Sequence, residues 1–326
     1  LGGILEHHLR GVLSKLLAHD EKRLPIITAD KTQIEIIEDL PAEDYHADKT
    51  RMSSTAIRNI LRSPRHFLLN WQGLEDEGEE KDHFRIGRAA HLFLLEPHKF
   101  KAQYVVEPVH QGFTKDGKPT TSANALSVKE AKEHWLSQQK PDALIVSQQE
   151  LDELVGMIEA VLEHPQAAGL LSNGVAETTI RWTDEETGVM CKARPDYLSR
   201  IGDELHLIDF KTTRDIRAGI FANDGLKMGY GTQLAFYHDG VVKALGRQPT
   251  SITIIAVEKK PPHEAVVYLL NDDWFEYGQR FYKHALKIYK KCRDTGKFPA
   301  FQNGSQMLSM PSRAQQDQVP EFDFLK

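Results

Sequence analysis

Two acids and one lysine, carried on consecutive predicted strands, constrain this chain more than any other feature. Asp196 follows Ala193-Arg194-Pro195 and stands 13 residues before Asp209-Phe210-Lys211. Residues 175–182, 189–199 and 204–211 are rich in β-branched and apolar side chains and read as strands. The turns between them are Asp184-Glu185-Glu186-Thr187-Gly188 and Gly202-Asp203. Side chains alternate along a strand, so Asp209 and Lys211 share one side with Leu205 and Leu207, while Ile208 and Phe210 face the other. By the same rule Lys192, Arg194 and Asp196 share a side of the preceding strand. If the two strands pair as a meander, both carboxylates converge at one end of the sheet beside Lys211. Neighbouring carboxylates repel unless a hard divalent cation, Mg2+ or in its place Mn2+, sits between them. Such a cation polarises a phosphoryl group and acidifies its bound water. A lysine beside it holds the attacking water and offsets developing negative charge. A lone Asp-x-Lys is more often an exposed ion pair; the second carboxylate, one hairpin away, moves the balance towards a site.

Helical segments surround these strands. The periodicity of Ile4, Leu5, Leu9, Val12, Leu13, Leu16 and Leu17 predicts an amphipathic helix over 1–24, ended by Pro25. We read 1–30 as a linker or docking element outside the main core, 31–310 as the main domain and 311–326 as a polar tail. The chain opens without methionine, as a fragment or a processed protein would. Helices are predicted from Ser53 or Ser54 to Leu61, from Pro64 onward, and over 82–95, 127–139, 148–163, 231–245 and 272–294. The acidic run 75–82 and the polar stretch 107–124 read as loops, and 251–257 pairs with 265–270 through Pro261-Pro262. Strands, a helix and more strands, with helices before and after, make an α/β core.

Composition narrows the function. Lys and Arg number 41 against 47 Asp and Glu, a formal charge of −6, so a nucleic-acid ligand requires locally concentrated basic residues. Arg62, Arg88, Arg194 and Arg214 are candidates to hold phosphates. Trp71, Trp135 and Phe113 are read mainly as packing residues. Two cysteines, Cys191 and Cys292, cannot build an iron–sulfur cluster and suit a reducing cytoplasm. No apolar run approaches the ~18 residues of a membrane helix.

Asp196 followed by Asp209-Phe210-Lys211 resembles the PD-(D/E)xK nuclease signature. Other segments are similar to the recombination nucleases related to phage lambda exonuclease, the RecB nuclease domain and, most of all, the RecE-type (exodeoxyribonuclease VIII) nuclease domains. Gly87-Arg88-Ala89-Ala90-His91 resembles their G-x-x-x-H helix. Ala193-Arg194-Pro195-Asp196 resembles G-R-x-D with alanine for glycine, and Gln233-Leu234-Ala235-Phe236-Tyr237 resembles Q-x-x-x-Y. Glu177 stands where the first core strand often carries a glutamate. The resemblance implies a mixed, mainly antiparallel sheet flanked by helices. It implies Mg2+ held by His91, Asp196, Asp209 and the Phe210 carbonyl, Lys211 assisting water, Glu177 completing the shell or orienting water, and Gln233 and Tyr237 positioning the phosphate. It also implies exonuclease action on double-stranded DNA ends, degrading one strand 5′ to 3′. A toroidal homo-oligomer and a RecT-type annealing partner belong to the same expectation. An endonuclease of the same fold and a non-catalytic DNA-binding module are the alternatives.

Overall fold

The computed structural model describes residues 2–20, 34–74, 82–141, 143–300, 305 and 307–308. Most of the predicted acidic loop and the whole tail, with its Glu321-Phe322-Asp323-Phe324 tip, lie outside the described residues.

A five-stranded sheet forms the centre, in the order Ala265–Leu269, Ser251–Glu258, Glu204–Thr213, Tyr197–Ile201, Gly174–Ala176. Its pairings are antiparallel except that Glu204–Thr213 runs parallel to Ser251–Glu258. A parallel pair needs a crossover, and the helices Ala218–Met228 and Tyr230–Leu245 provide it. The fold is therefore α/β, with a mixed and mainly antiparallel sheet between helical layers. The central strand alternates as its sequence demands. Ile208 and Phe210 enter one core with Phe93, Leu154 and Ile158. Leu205 and Leu207 enter the other with Leu234, Phe236 and Ile254. Burial on both faces explains why this strand is almost continuously apolar before Asp209.

The first two predicted strands differ from expectation. Each is broken into two pieces that belong to different sheets. Gly174–Ala176 and Tyr197–Ile201 join the central sheet, whereas Thr179–Thr183 and Met190–Ala193 join Glu35–Ile37 in a three-stranded sheet. The two breaks face each other, since the Glu177 amide donates to the Asp196 carbonyl at 3.1 Å. Glu177 takes a left-handed φ of 51°, and Pro195 has no N–H for a ladder. The hairpin therefore turns a corner, a device that re-aims side chains. Lys192 consequently leaves the expected face: its Nζ donates to the carbonyls of Tyr45 and Asp48.

The first helix, Gly2–Asp20, is part of the core and not an outlying linker. Leu9, Val12, Leu13 and Leu16 are buried in the cluster built on the Gln148–Glu163 helix. The stretch predicted as a loop contains a small hairpin, Gly112–Phe113 with Pro119–Thr120. The Ser127 hydroxyl holds the Phe113 amide at 2.8 Å and its carbonyl at 2.9 Å.

Helix Tyr230–Leu245 is clamped by Asp272–Thr295, and glycines permit the crossing. A Cβ on Gly278 would lie 2.1 Å from the Gly231 carbonyl oxygen, an obstacle of backbone that cannot rotate away. Gly278→Ala is expected to cost about 1–3 kcal/mol or more. A urea unfolding midpoint unchanged from wild type would show that the helices separate without penalty.

Candidate active site

The corner of the hairpin and the end of the central strand bring the acids together. Asp209 and Lys211 project from Glu204–Thr213, with Lys211 Nζ 2.6 Å from Asp209 Oδ2. Asp196, at the break before Tyr197–Ile201, places Oδ2 3.9 Å from the same Nζ. The Phe210 amide donates to that Oδ2 at 2.7 Å, which ties the corner to the central strand. His91 approaches from the helix Asp82–Leu95, its Nδ1 3.5 Å from Asp196 Oδ2. Gly87, one turn earlier, lets this helix lie close: a Cβ there would be 3.3 Å from Thr212 Oγ1. The ring of Phe210 packs edge-on against His91, centroids 5.0 Å apart. The three segments singled out by sequence spacing meet here, although the strand carrying Asp196 is bent.

Gln233 and Tyr237 share a face of Tyr230–Leu245. The Gln233 side-chain amide donates to the Tyr237 hydroxyl at 3.1 Å, and the Ser54 hydroxyl lies 3.2 Å from it. Ser54 opens the helix Ser54–Arg62, whose N-cap is Ser53. Sequence analysis placed Ser54 only at the start of a predicted helix and did not connect it with Tyr237. It also missed Tyr230, whose ring centroid is 5.4 Å from Lys211 Nζ.

Burial and mutual repulsion set the charges. Burial pushes the Asp209 carboxyl up to about 6, opposed by the Lys211 ammonium and reinforced by Asp196. Burial also raises Asp196, against the pull of Lys211 and the Phe210 amide. Glu177 is raised by burial first and by Asp196 second. Burial would lower Lys211, but the Asp209 and Asp196 charges outweigh it and hold the amine above its ordinary value. Burial, then the charge of Lys211, pushes the His91 imidazole down to about 4, so it is neutral at pH 7 with a lone pair to offer.

A hard cation fits these residues. Among the described residues, His91, Glu177 and Asp196 form a group whose ligand atoms all lie within 4.8 Å of one another. Asp209 stands beside this trio, facing Lys211, and its buried Oδ1 receives no hydrogen bond from any described residue. Carboxylate oxygens and a neutral imidazole are suitable donors for Mg2+ or Mn2+. Glu177, not Asp209, completes the trio, and it sits at the break whose amide bonds the Asp196 carbonyl.

The arginines divide. Arg62, Arg88 and Arg214 are exposed, and Arg214 lies 3.3 Å from Asp224. Arg194 is engaged within the fold: Nε donates to Thr179 Oγ1 at 3.0 Å and Nη2 to the Leu40 carbonyl at 2.7 Å. Trp71 packs on Phe67 and Tyr289, and Trp135 on His110. Phe113 instead is 63% exposed at its hairpin, contrary to the packing expectation.

A mixed sheet with two acids and a lysine on adjoining strands, and flanking helices bearing His91 and Gln233, defines a PD-(D/E)xK-like fold. The chain belongs to the family described as "PDDEXK-like domain of unknown function (DUF3799)", whose model matches residues 53–308. It is also similar in fold to a solved structure described as a "Putative exonuclease" from Eubacterium rectale. That match has a TM-score of 0.54 and 13% identity, and covers 86% of this chain and 100% of the other. A second solved structure, of SSO0001, covers 90% of this chain and 86% of its own at 10% identity, but its TM-score of 0.28 carries no argument. No curated protein matches the chain.

Proposed function

We propose that the protein is a divalent-metal-dependent deoxyribonuclease that hydrolyses phosphodiester bonds. One observation carries this reading: Asp196, Asp209, Lys211, His91 and Glu177 meet at one end of the central sheet, although they come from four separate segments. When bound by His91, Glu177 and Asp196 with Asp209 adjoining, a cation supplies Lewis-acid polarisation of the phosphate and acidifies water. The chain's own groups do the rest. Lys211, an ammonium, donates a hydrogen bond to the phosphate or the attacking water and offsets charge developing on the phosphate. Burial pushes the Tyr237 phenol up to about 12, so it keeps its proton at neutral pH and remains a donor. Gln233 and Ser54 fix its direction. Arg62, Arg88 and Arg214 are candidates to hold the flanking backbone.

Within that class, the motif order and the RecE-type resemblance favour an exonuclease that enters at duplex ends and removes one strand 5′ to 3′. Incubation with linear duplex labelled at the 5′ or the 3′ end, beside a covalently closed circle, tests this. Early loss of the 5′ label with an intact circle is expected. A nicked or cut circle would mean an endonuclease on the same core. The same resemblance suggests a homo-oligomeric ring, with basic groups in the channel beneath an average charge of −6. It also suggests a RecT-type single-strand annealing partner in the cytoplasm. A monomeric mass by sedimentation would remove the ring and leave the chemistry untouched.

A further inference from the structure

We propose that Tyr230 is a positioning residue of this site, its ring holding the Lys211 ammonium where it can donate to the substrate phosphate or the attacking water. The proposal rests on the nuclease reading and names what orients the lysine. The Lys211 side chain is only 16% exposed, and its Nζ lies 2.6 Å from Asp209 Oδ2 and 3.9 Å from Asp196 Oδ2. The same Nζ lies over the Tyr230 ring, 5.4 Å from its centroid. An aromatic face attracts a cation within ~6 Å, and more strongly where water is excluded. The two kinds of neighbour act differently. A carboxylate takes a directed hydrogen bond and so consumes a donor. A ring at this distance attracts the charge and leaves the N–H groups free to turn. The acids alone would draw Nζ towards Asp209, and the ring gives it an anchor on another element. The fold fixes that ring. Tyr230 opens the helix Tyr230–Leu245 directly after Gly229, whose left-handed φ of 77° turns the chain out of Ala218–Met228. Gly225 makes room for it, since a Cβ there would lie 2.9 Å from Tyr230 Cδ2. Phe221 backs the ring at 5.9 Å and itself stacks on Tyr268 at 5.1 Å. Tyr230 also precedes Gln233 and Tyr237 at helical spacing, on the face that carries that hydrogen-bonded pair. One helix face therefore presents both the anchor of the lysine and the groups read as positioning the phosphate.

Tyr230→Leu tests the assignment, since it keeps an apolar side chain and removes the ring. Cleavage of linear duplex in Mg2+ is expected to fall about 10- to 30-fold in kcat, with KM and duplex affinity in Ca2+ within about twofold of wild type. Tyr230→Phe keeps the ring without the hydroxyl and should recover most of that loss. In a Lys211→Ala background, adding Tyr230→Leu should change the residual rate by less than about twofold, because no ammonium is left to hold. A merely structural role would slow both backgrounds alike. Full loss in the Lys211→Ala background, a Tyr230→Leu protein that cuts at the wild-type rate, or a Tyr230→Phe protein as slow as Tyr230→Leu overturns the assignment. So does a Tyr230→Leu protein that is unfolded at the assay temperature, because the ring would then be serving the fold. Wild-type protein that cuts no DNA in Mg2+ or Mn2+ overturns both this proposal and the nuclease reading.

Discussion

Lys211→Ala is expected to lower DNA cleavage by about 100- to 1,000-fold, because it removes an ammonium aimed at both acids. The loss should appear in kcat, with duplex binding in Ca2+ nearly retained. A second effect follows from burial. Asp209 is 1% exposed and faces Lys211 at 2.6 Å. Removing one partner of a buried pair leaves the other charge uncompensated, at a cost of about 3–5 kcal/mol. Raised carboxyl pKa values soften that cost, because the acids can take up protons in place of the lost amine. The variant should therefore unfold earlier than wild type in EDTA, most clearly at alkaline pH. Millimolar Mg2+ should restore more stability to the variant than it adds to wild type, since the cation then supplies the missing positive charge. Unfolding curves in EDTA and in Mg2+ measure both effects. A Lys211→Ala protein that cuts DNA at the wild-type rate would remove the lysine from the mechanism.

Asp196→Asn is expected to abolish cleavage to a comparable or greater degree. Asp196 belongs to the trio with His91 and Glu177, and it also accepts the Phe210 amide at 2.7 Å. Asparagine keeps an oxygen for that amide but removes the charge, so the fold survives while the cation loses a ligand. The effect on stability has a definite sign. Without metal, Asp196, Asp209 and Glu177 repel one another, and burial raises all three. Taking one charge away relieves this, so the variant in EDTA should be at least as stable as wild type at pH 7. The midpoint increase produced by Mn2+ in wild type should shrink or vanish in the variant. An undiminished Mn2+ shift in Asp196→Asn would place cation binding elsewhere on the molecule.

The side-chain alternation of the central strand was legible, although the strand runs two residues further than predicted, to Thr213. Alternation from Leu205 to Lys211 assigned each side chain to its layer, and those layers are the two cores. His91 and the Gln233–Tyr237 pair were legible through motif spacing. Other features depend on partners far away in the chain. Arg194 looked like a ligand for phosphate, yet it donates hydrogen bonds to Thr179 and Leu40, which no local pattern connects to it. The apolar stripe of residues 9–16 showed a face to bury, but not that the Gln148–Glu163 helix would cover it. The break at Pro195 did have a signal, since proline inside an apparent strand marks a bend or an edge. The matching break at Glu177 had none, because glutamate rarely adopts a left-handed φ and does so here under the demand of the corner.

On the proposed function, phosphodiester hydrolysis depends on a cation at these acids. The most direct measurement follows the wild-type protein on linear duplex DNA, with Mg2+ and in parallel with EDTA. Steady release of nucleotides in Mg2+, and none in EDTA, is the predicted result. Equal digestion in EDTA, or intact DNA in both Mg2+ and Mn2+, would contradict it.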